Sequence, residues 1–233
     1  MSAFYWLTKA VVGPLMRVYF DVEAYGAEVV PSEGAAILAA NHLSALDSAF
    51  VPLVIPRKVT YVAKAEYFDK WYSRIFFKAW GQIPIDRSGG KASEGALIAA
   101  RQVLERGELF GIYPEGTRSP DGRLYKGHTG VARLALATGA PVIPIGIRGS
   151  REVMPKGARF PKRGRVEIRF GQALRYSKDS LSVPEKVALR LITDEIMYAI
   201  QQLSGQEYVD VYATKVRTVA QERDLGLERA ATG

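Results

Sequence analysis

The chain has 233 residues, 48% hydrophobic and 24% charged, a composition typical of one globular domain and not of a disordered segment. It contains no cysteine and only two histidines, which excludes disulfides and a cysteine nucleophile and argues against a zinc site. Its formal charge of +8 suits nucleic acid, an anionic membrane face or a phosphorylated substrate, and charge alone does not choose among them.

The N-terminal segment, residues 1–22, is predicted to be a helix lying in a membrane interface. It lacks the basic start and the small-residue cleavage site of a signal peptide. Lys9, Pro14 and Arg17 interrupt its apolar run, so it does not resemble the about 20 apolar residues of a spanning helix. Its aromatic and aliphatic residues favour headgroup depth, and a helix packed on the protein core is the alternative.

Strand patterns alternate with helix patterns through the rest of the chain. Apolar runs with β-branched residues predict strands at 35–40, 59–63, 82–86, 109–113, 142–147 and 166–170. Helical patterns appear at 48–54, 66–79, 90–106, 130–138 and 183–203. Gly139 is a good C-cap for the fourth helix. The alternation predicts a single α/β domain with a mixed sheet flanked by helices, comprising a core at 23–180 completed by a helical region at 181–233.

The sequence NHLSALD, residues 41–47, places a histidine and an aspartate five positions apart. On a continuous helix they would lie about 140° apart and would not face each other. Asn41 and Ser44 are turn and cap residues, so we expect His42 in the turn after a strand and Asp47 in the first turn of a helix. Asp47 then accepts the Nδ1 proton of His42 and leaves Nε2 as a base. Taken alone, the pair is a weak signal that fits a structural role better than a catalytic one.

Later segments combine glycines with basic residues. GQIPIDR at 81–87 and YPEGTRS at 113–119 lie at predicted strand ends, and LYKGHTG at 124–130 precedes a predicted helix. Loops at strand ends can approach a ligand closely. Arg87 and Arg118 are candidate phosphate ligands because arginine forks match phosphate oxygens, and Lys126 is a third candidate. A base among such cations indicates a phosphorylated alcohol as substrate.

Four segments resemble the motifs of the glycerolipid acyltransferases, specifically the 1-acyl-glycerol-3-phosphate (lysophosphatidate) acyltransferases. NHLSALD resembles their Asn-His-x4-Asp motif, IPIDR the second motif, PEGTRS the third and VIPIGI the proline-containing fourth. The order and approximate spacing agree, and the resemblance covers residues 25–175. It is specific for the superfamily and much less so for the acceptor lipid.

The resemblance implies that His42, oriented by Asp47, deprotonates the free hydroxyl of 1-acyl-glycerol-3-phosphate for direct attack on an acyl thioester. The donor is acyl-CoA or acyl carrier protein, and no metal or bound cofactor is expected. Pro144 is expected to shape the pocket wall. For Asn41, bracing of the turn is the alternative to substrate binding. The residues assigned to substrate binding are Asn41, Arg87, Glu115, Gly116, Thr117, Arg118 and Lys126.

A basic stretch and the N-terminal segment together predict a location on the cytoplasmic face of the cell membrane, peripheral or monotopic. Residues 148–175 carry nine basic side chains against two acidic ones, which suits anionic lipid or the phosphates of CoA. The aromatic segment 66–80 is a candidate for lining the acyl chain or touching the bilayer, with an amphipathic core helix as the alternative. His128 is a candidate anion contact or an exposed helix start.

Two other functions remain open at this point. One is a related acyltransferase whose acceptor is a lyso-phospholipid, a phosphoglycolipid or glycerol-3-phosphate. The other is a non-catalytic, basic membrane-binding protein. No feature resembles a nucleic-acid-binding module, so no nucleic-acid partner is expected.

Overall fold

The computed structural model describes residues 3–65, 69, 82–85, 92–155, 157–158 and 160–216. In chain order its helices and strands are α1 Ala3–Tyr19, β1 Asp21–Tyr25, β2 Ala36–Ala40, α2 Asp47–Val54, β3 Val59–Lys64, β4 Gln82–Ile85, α3 Ala92–Glu105, β5 Leu109–Ile112, β6 Leu124–Tyr125, α4 Gly130–Thr138, β7 Val142–Arg148, α5 Ser150–Val153, β8 Arg165–Phe170, α6 Glu185–Ser204 and β9 Tyr208–Val209.

A mixed sheet runs through the domain in the strand order β1-β8-β7-β2-β5-β3-β4. Neighbouring strands are parallel except β7 and β8, which are antiparallel. The central strand β2 pairs with β5 through Ala39 and Ile112 and with β7 through Ala39 and Pro144. All five β2 residues are buried, as expected of a strand covered on both faces. The chain leaves the C-terminal end of β2 directly into residues 41–47.

Each face of the sheet has its own apolar cluster, because successive strand residues point to opposite faces. Ile37 and Ala39 belong to a cluster built with α3, α4 and α6. Leu38 and Ala40 belong to a second cluster, which includes Phe50 of α2. The predicted α/β domain with a mixed sheet flanked by helices is confirmed.

The six predicted strands each coincide with an observed strand to within one residue at either end. The predicted helix 130–138 is α4, and Gly139 ends it in the left-handed conformation at φ 66°. The short elements β1, β6, β9 and α5 were not predicted. Strand β1 has the sequence DVEAY and lies half-exposed at the sheet edge, so no apolar run marks it. Strands β6 and β9 have two residues each, too few to show a period.

The N-terminal segment forms helix α1 with Pro14 inside it. In the described part of the chain, no helix is both long enough and apolar enough to cross a bilayer. The predicted helix 66–79 lies outside the described residues except for Asp69.

Candidate active site

The turn after β2 brings His42 back against the first residue of α2. Nδ1 of His42 lies 2.9 Å from Oδ2 of Asp47. The same oxygen accepts the backbone N–H groups of Leu43 and Ser44 at 2.8 Å each. Asp47 is fully buried, and the His42 side chain is 17% exposed. The geometry that the sequence predicts for this pair is therefore present, and three donors on one oxygen fix the orientation of the carboxylate.

The Nε2 atom of His42 has no hydrogen-bond partner among the residues that the structure describes. A neutral imidazole that donates Nδ1–H to a carboxylate keeps a lone pair on Nε2. The pair can therefore accept a proton from a substrate hydroxyl and stabilise the imidazolium that results.

An aromatic platform lies against the face of His42. The ring centroids of His42 and Tyr113 are 3.9 Å apart with 11° between the planes, and Tyr61 stacks with Tyr113 at 5.6 Å and 15°. The hydroxyl of Tyr113 lies 3.0 Å from Oγ of Ser48. Burial raises the pKa of the Tyr113 hydroxyl well above its usual value, so it stays neutral. Tyr113 was not predicted as a site residue, and its only sequence signal is an aromatic residue at a strand end.

Glu115 joins the loop at 113–119 to the turn that carries His42. Its Oε1 accepts the backbone N–H of His42 and its Oε2 that of Tyr125, both at 3.0 Å. Burial raises the pKa of Glu115 to about 8, while the two N–H donors act in the opposite direction. The carbonyl of His42 accepts the N–H of Ser119 at 2.8 Å, a second bond between the loop and the turn. Both Glu115 oxygens are thus occupied by the protein, which indicates bracing in place of the predicted substrate contact.

Asn41 has an equally internal role. Its Oδ1 accepts the N–H of Ile147 at 2.7 Å, and its Nδ2 donates to the carbonyl of Ile147 at 2.8 Å and to Oε1 of Gln206 at 2.7 Å. Gln206 in turn donates to the carbonyl of Gly122 at 2.6 Å. The side chain of Asn41 is fully buried, so its position fits the bracing alternative and not a substrate contact. Gln206 was missed because nothing local in the sequence connects it with residue 41.

The part of the loop that solvent reaches consists of Gly116, Thr117 and Arg118. Gly116 has a φ of 72°, and a Cβ there would lie 3.1 Å from Cδ2 of His128, so glycine suits this position on both counts. Thr117 and Arg118 are half-buried, and no described residue makes a hydrogen bond or ion pair with either side chain. Among the described residues, none competes with an anionic ligand for the guanidinium of Arg118.

The other predicted cations are placed differently. Nζ of Lys126 lies 2.8 Å from Oδ1 of Asp210, an exposed ion pair that a ligand phosphate can replace at small cost. Arg87 lies outside the described residues, so its role stays a prediction. The ring of His128 stacks on Tyr212 with centroids 4.5 Å apart, and partial desolvation together with the charge of Arg190 lowers the pKa of His128. Both effects favour the neutral imidazole.

Pro144 is a residue of the central sheet. It is buried within β7, opposite Ala39 of β2, and its carbonyl accepts the N–H of Gly171 at 2.8 Å. The expectation that it shapes the pocket wall stays a prediction.

Comparison with known proteins gives one family and several relatives. A family model described as Acyltransferase matches residues 21–148. The chain is 26% identical to the 1-acyl-sn-glycerol-3-phosphate acyltransferase of Bacillus subtilis (strain 168) over 79% of this chain and 89% of that protein. It is 34% identical to the 1-acyl-sn-glycerol-3-phosphate acyltransferase of Limnanthes alba over 52% of this chain, a match that spans 44% of that longer protein.

The fold also matches a solved structure. The crystal structure of the 1-acyl-sn-glycerophosphate acyltransferase PlsC from Thermotoga maritima aligns with a TM-score of 0.65 and 24% identity. The alignment covers 87% of this chain and 84% of that one. At this identity the likeness is one of fold, and it includes the sheet that positions His42 and Asp47.

Proposed function

Because this chain belongs to the acyltransferase family, we propose that it moves a fatty acyl group from an acyl thioester to the free hydroxyl of 1-acyl-glycerol-3-phosphate, giving phosphatidate for phospholipid synthesis. The observation that carries the proposal is the 2.9 Å contact between His42 Nδ1 and Asp47 Oδ2, with Nε2 unengaged by the described residues. The names of the relatives support the choice of acceptor.

The reaction follows from that contact. The acceptor hydroxyl oxygen attacks the thioester carbonyl carbon while its proton passes to Nε2 of His42. Asp47 stabilises the imidazolium that forms. The tetrahedral intermediate then expels the thiolate, the C–S bond breaks, and the proton on Nε2 passes to the sulfur. General base catalysis of this kind contributes about 10²–10⁴-fold in rate. No acyl-enzyme is required, in keeping with a chain that has no cysteine.

The acceptor phosphate is proposed to bind at the exposed loop. Arg118 supplies a guanidinium that no described residue engages, and Gly116 brings backbone close to the ligand without a side chain in the way. Lys126 can turn from Asp210 towards a phosphate because its ion pair is exposed. This arrangement favours an acceptor with a terminal phosphate over a lyso-phospholipid whose phosphate is esterified.

We also propose that the protein associates with an anionic membrane on the cytoplasmic face through α1. The side chains of Leu7, Val11, Leu15 and Val18 are all more than half exposed, at 62%, 56%, 65% and 77%, and their spacing places them on one face of the helix. A continuous apolar face of this kind fits the boundary between headgroups and acyl chains. The acceptor and the product are lipids of the membrane, so such docking brings the site to its substrate.

The two cations of α1 support this orientation because they face the protein. Lys9 donates through Nζ to the carbonyl of Ile55, and Arg17 donates through Nη2 to the carbonyl of Leu53 at 2.9 Å. Burial, with the nearby charge of Arg17, lowers the pKa of Lys9 to about 8. Both cations thus bind carbonyls at the C-terminal end of α2, which leaves the opposite face of α1 apolar.

The experiment that tests the function measures thiol release with acyl-CoA and with acyl carrier protein as donors. Lysophosphatidate, glycerol-3-phosphate and lyso-phospholipids are offered in parallel to wild type and to His42→Ala. Release that requires both lysophosphatidate and His42 supports the proposal. Release with a different acceptor retains the chemistry and replaces the substrate. Release that persists in His42→Ala, or no release with any pair of substrates, overturns it.

A further inference from the structure

The ring of Tyr113 does more than fill space behind the active site. It lies flat on the imidazole of His42, with centroids 3.9 Å apart and planes 11° from parallel. The contact with Asp47 holds one edge of the imidazole, and a single hydrogen bond at an edge leaves the ring free to tilt about that bond. A flat ring against its face removes this freedom and so fixes the direction of Nε2.

The platform and the carboxylate are anchored to the same helical turn. The hydroxyl of Tyr113 lies 3.0 Å from Oγ of Ser48, and Ser48 follows Asp47 in α2. This contact links the aromatic platform to the turn that carries the carboxylate.

A glycine in β5 leaves room for the stacked tyrosine rings. A Cβ at Gly111 would lie 2.1 Å from Cε1 of Tyr61, so only glycine at this position of β5 admits the Tyr61 ring. Tyr61 is buried and stacks in turn with Tyr113 at 5.6 Å. The rings of Tyr61, Tyr113 and His42 thus form a stack that runs from the core to the active site. Tyr61 therefore supports the platform from behind.

We propose that Tyr113 is a positioning residue, whose stacked ring orients Nε2 of His42 and favours the imidazolium that forms during acyl transfer. An aromatic face attracts a cation placed over it, and the attraction is stronger where water is excluded. The groups that face His42 from the elements packed around it are Asp47 of α2, Tyr113 after β5 and the carboxylate of Glu115 at its backbone N–H. Asp47 and Glu115 are unchanged by a substitution at Tyr113. The catalytic part of the inference rests on the proposed function.

The test compares Tyr113→Leu and Tyr113→Met, which keep an apolar side chain without a π face, with Tyr113→Phe, which keeps the ring and loses the hydroxyl. Thiol-release kinetics give kcat and both KM values. Proton NMR of the imidazole C–H groups reports on the ring stack without any substrate. The chain has only two histidines, so the His42 signal is assigned by its absence in His42→Ala.

In wild type we expect the His42 Cε1–H resonance to lie upfield of a free imidazole because of the Tyr113 ring current. Tyr113→Leu and Tyr113→Met are expected to lower kcat about tenfold or more, with both KM values within about twofold, since a small misorientation of a reacting group costs this much. The His42 Cε1–H resonance loses its upfield shift in these two variants, because no aromatic face is left against the imidazole. Tyr113→Phe restores both properties to near wild type.

The outcomes separate the inference from the function. A wild-type resonance without an upfield shift overturns the stack itself, even if no aliphatic variant folds. Wild-type kcat in a folded Leu or Met variant overturns the positioning role while His42-dependent transfer still stands. If wild type transfers no acyl group, the proposed function fails, and the resonance position still decides whether the Tyr113 ring lies on His42.

Discussion

Glu115 accepts the backbone N–H of His42 at 3.0 Å, so a buried carboxylate in one motif supports the turn that carries the base in another. The opposite oxygen holds Tyr125 of β6 at the same distance. The two motifs are 73 residues apart in sequence, and this carboxylate makes them one structural unit.

The raised pKa of Glu115 predicts a pH dependence of stability. With a folded pKa of about 8 and an ordinary value near 4.5, the folded protein retains a proton that the unfolded chain has released between these pH values. The contribution of Glu115 to the free energy of unfolding therefore falls as pH rises from about 4.5 to 8. Urea unfolding at pH 5, 6, 7 and 8 should show a steeper decline for wild type than for Glu115→Gln, which does not titrate.

The same substitution has a cost that does not depend on pH. The Nε2 group of a glutamine at 115 would face a backbone N–H of His42 or Tyr125, which leaves a buried donor unpaired. We expect a loss of about 1–3 kcal/mol at pH 5, where the native carboxyl is neutral. Equal slopes for the two proteins across the pH series would contradict the assignment of this titration to Glu115.

Replacing the base or its partner should stop catalysis without unfolding the domain. His42→Ala is expected to abolish transfer. Asp47→Asn should lower kcat by about 10–10³-fold, because the amide has no negative charge to stabilise the imidazolium. The amide oxygen can still accept the three N–H groups that Oδ2 of Asp47 accepts. Steady-state kinetics and circular dichroism measure the two effects. Asp47→Asn with more than a tenth of wild-type kcat would argue against the pair as catalytic machinery.

Arg118 should act on the acceptor and not on the donor. Arg118→Ala is expected to raise KM for lysophosphatidate about tenfold or more, since a guanidinium–phosphate bond is lost, with KM for the acyl donor within about twofold. Arg118→Lys should recover part of the loss. The matched control is Arg101→Ala, which removes an exposed guanidinium paired with Glu105 on α3. Equal changes in both KM values would remove Arg118 from the phosphate site.

Membrane association should depend on the apolar face of α1. Replacing Leu7, Val11, Leu15 and Val18 together by serine should release the protein from vesicles that contain anionic lipid, measured by co-sedimentation. These side chains are exposed, so the fold should be unaffected, whereas deletion of the whole segment would also remove the buried Tyr5. The control replaces three exposed apolar residues of α6: Val187, Leu191 and Tyr198. Release by the control and not by the α1 variant would place the membrane contact elsewhere.

The parts of the site that local sequence could predict are those joined by short spacing. His42 and Asp47 are five residues apart with turn residues between them, so strand, turn and helix start place them together. The strand ends before residues 41 and 113 follow from apolar runs, and these ends put both loops at the same side of a parallel pair.

Contacts between segments that are distant in sequence could not be predicted from local spacing. Asn41 meets Ile147 across 106 residues and Gln206 across 165, and a buried asparagine cannot be told from an exposed turn asparagine by its neighbours in sequence. Glu115 stands in a segment, PEGTR, that reads as an exposed polar loop, yet two backbone N–H groups compensate its burial. The residue type alone does not distinguish a polar side chain that joins two segments from one that binds a ligand.

Helix α2 has the carboxylate of Asp47 at its first residue, and the carbonyls that accept from Lys9 and Arg17 lie near and just beyond its other end. Its eight residues span about 12 Å. The proposed docking helix and the reacting imidazole are therefore held apart by a rigid spacer of fixed length. On a bilayer, this spacer would set the height of His42 above the lipid surface, and the length of the acceptor between its buried acyl chain and its free hydroxyl would have to match that height.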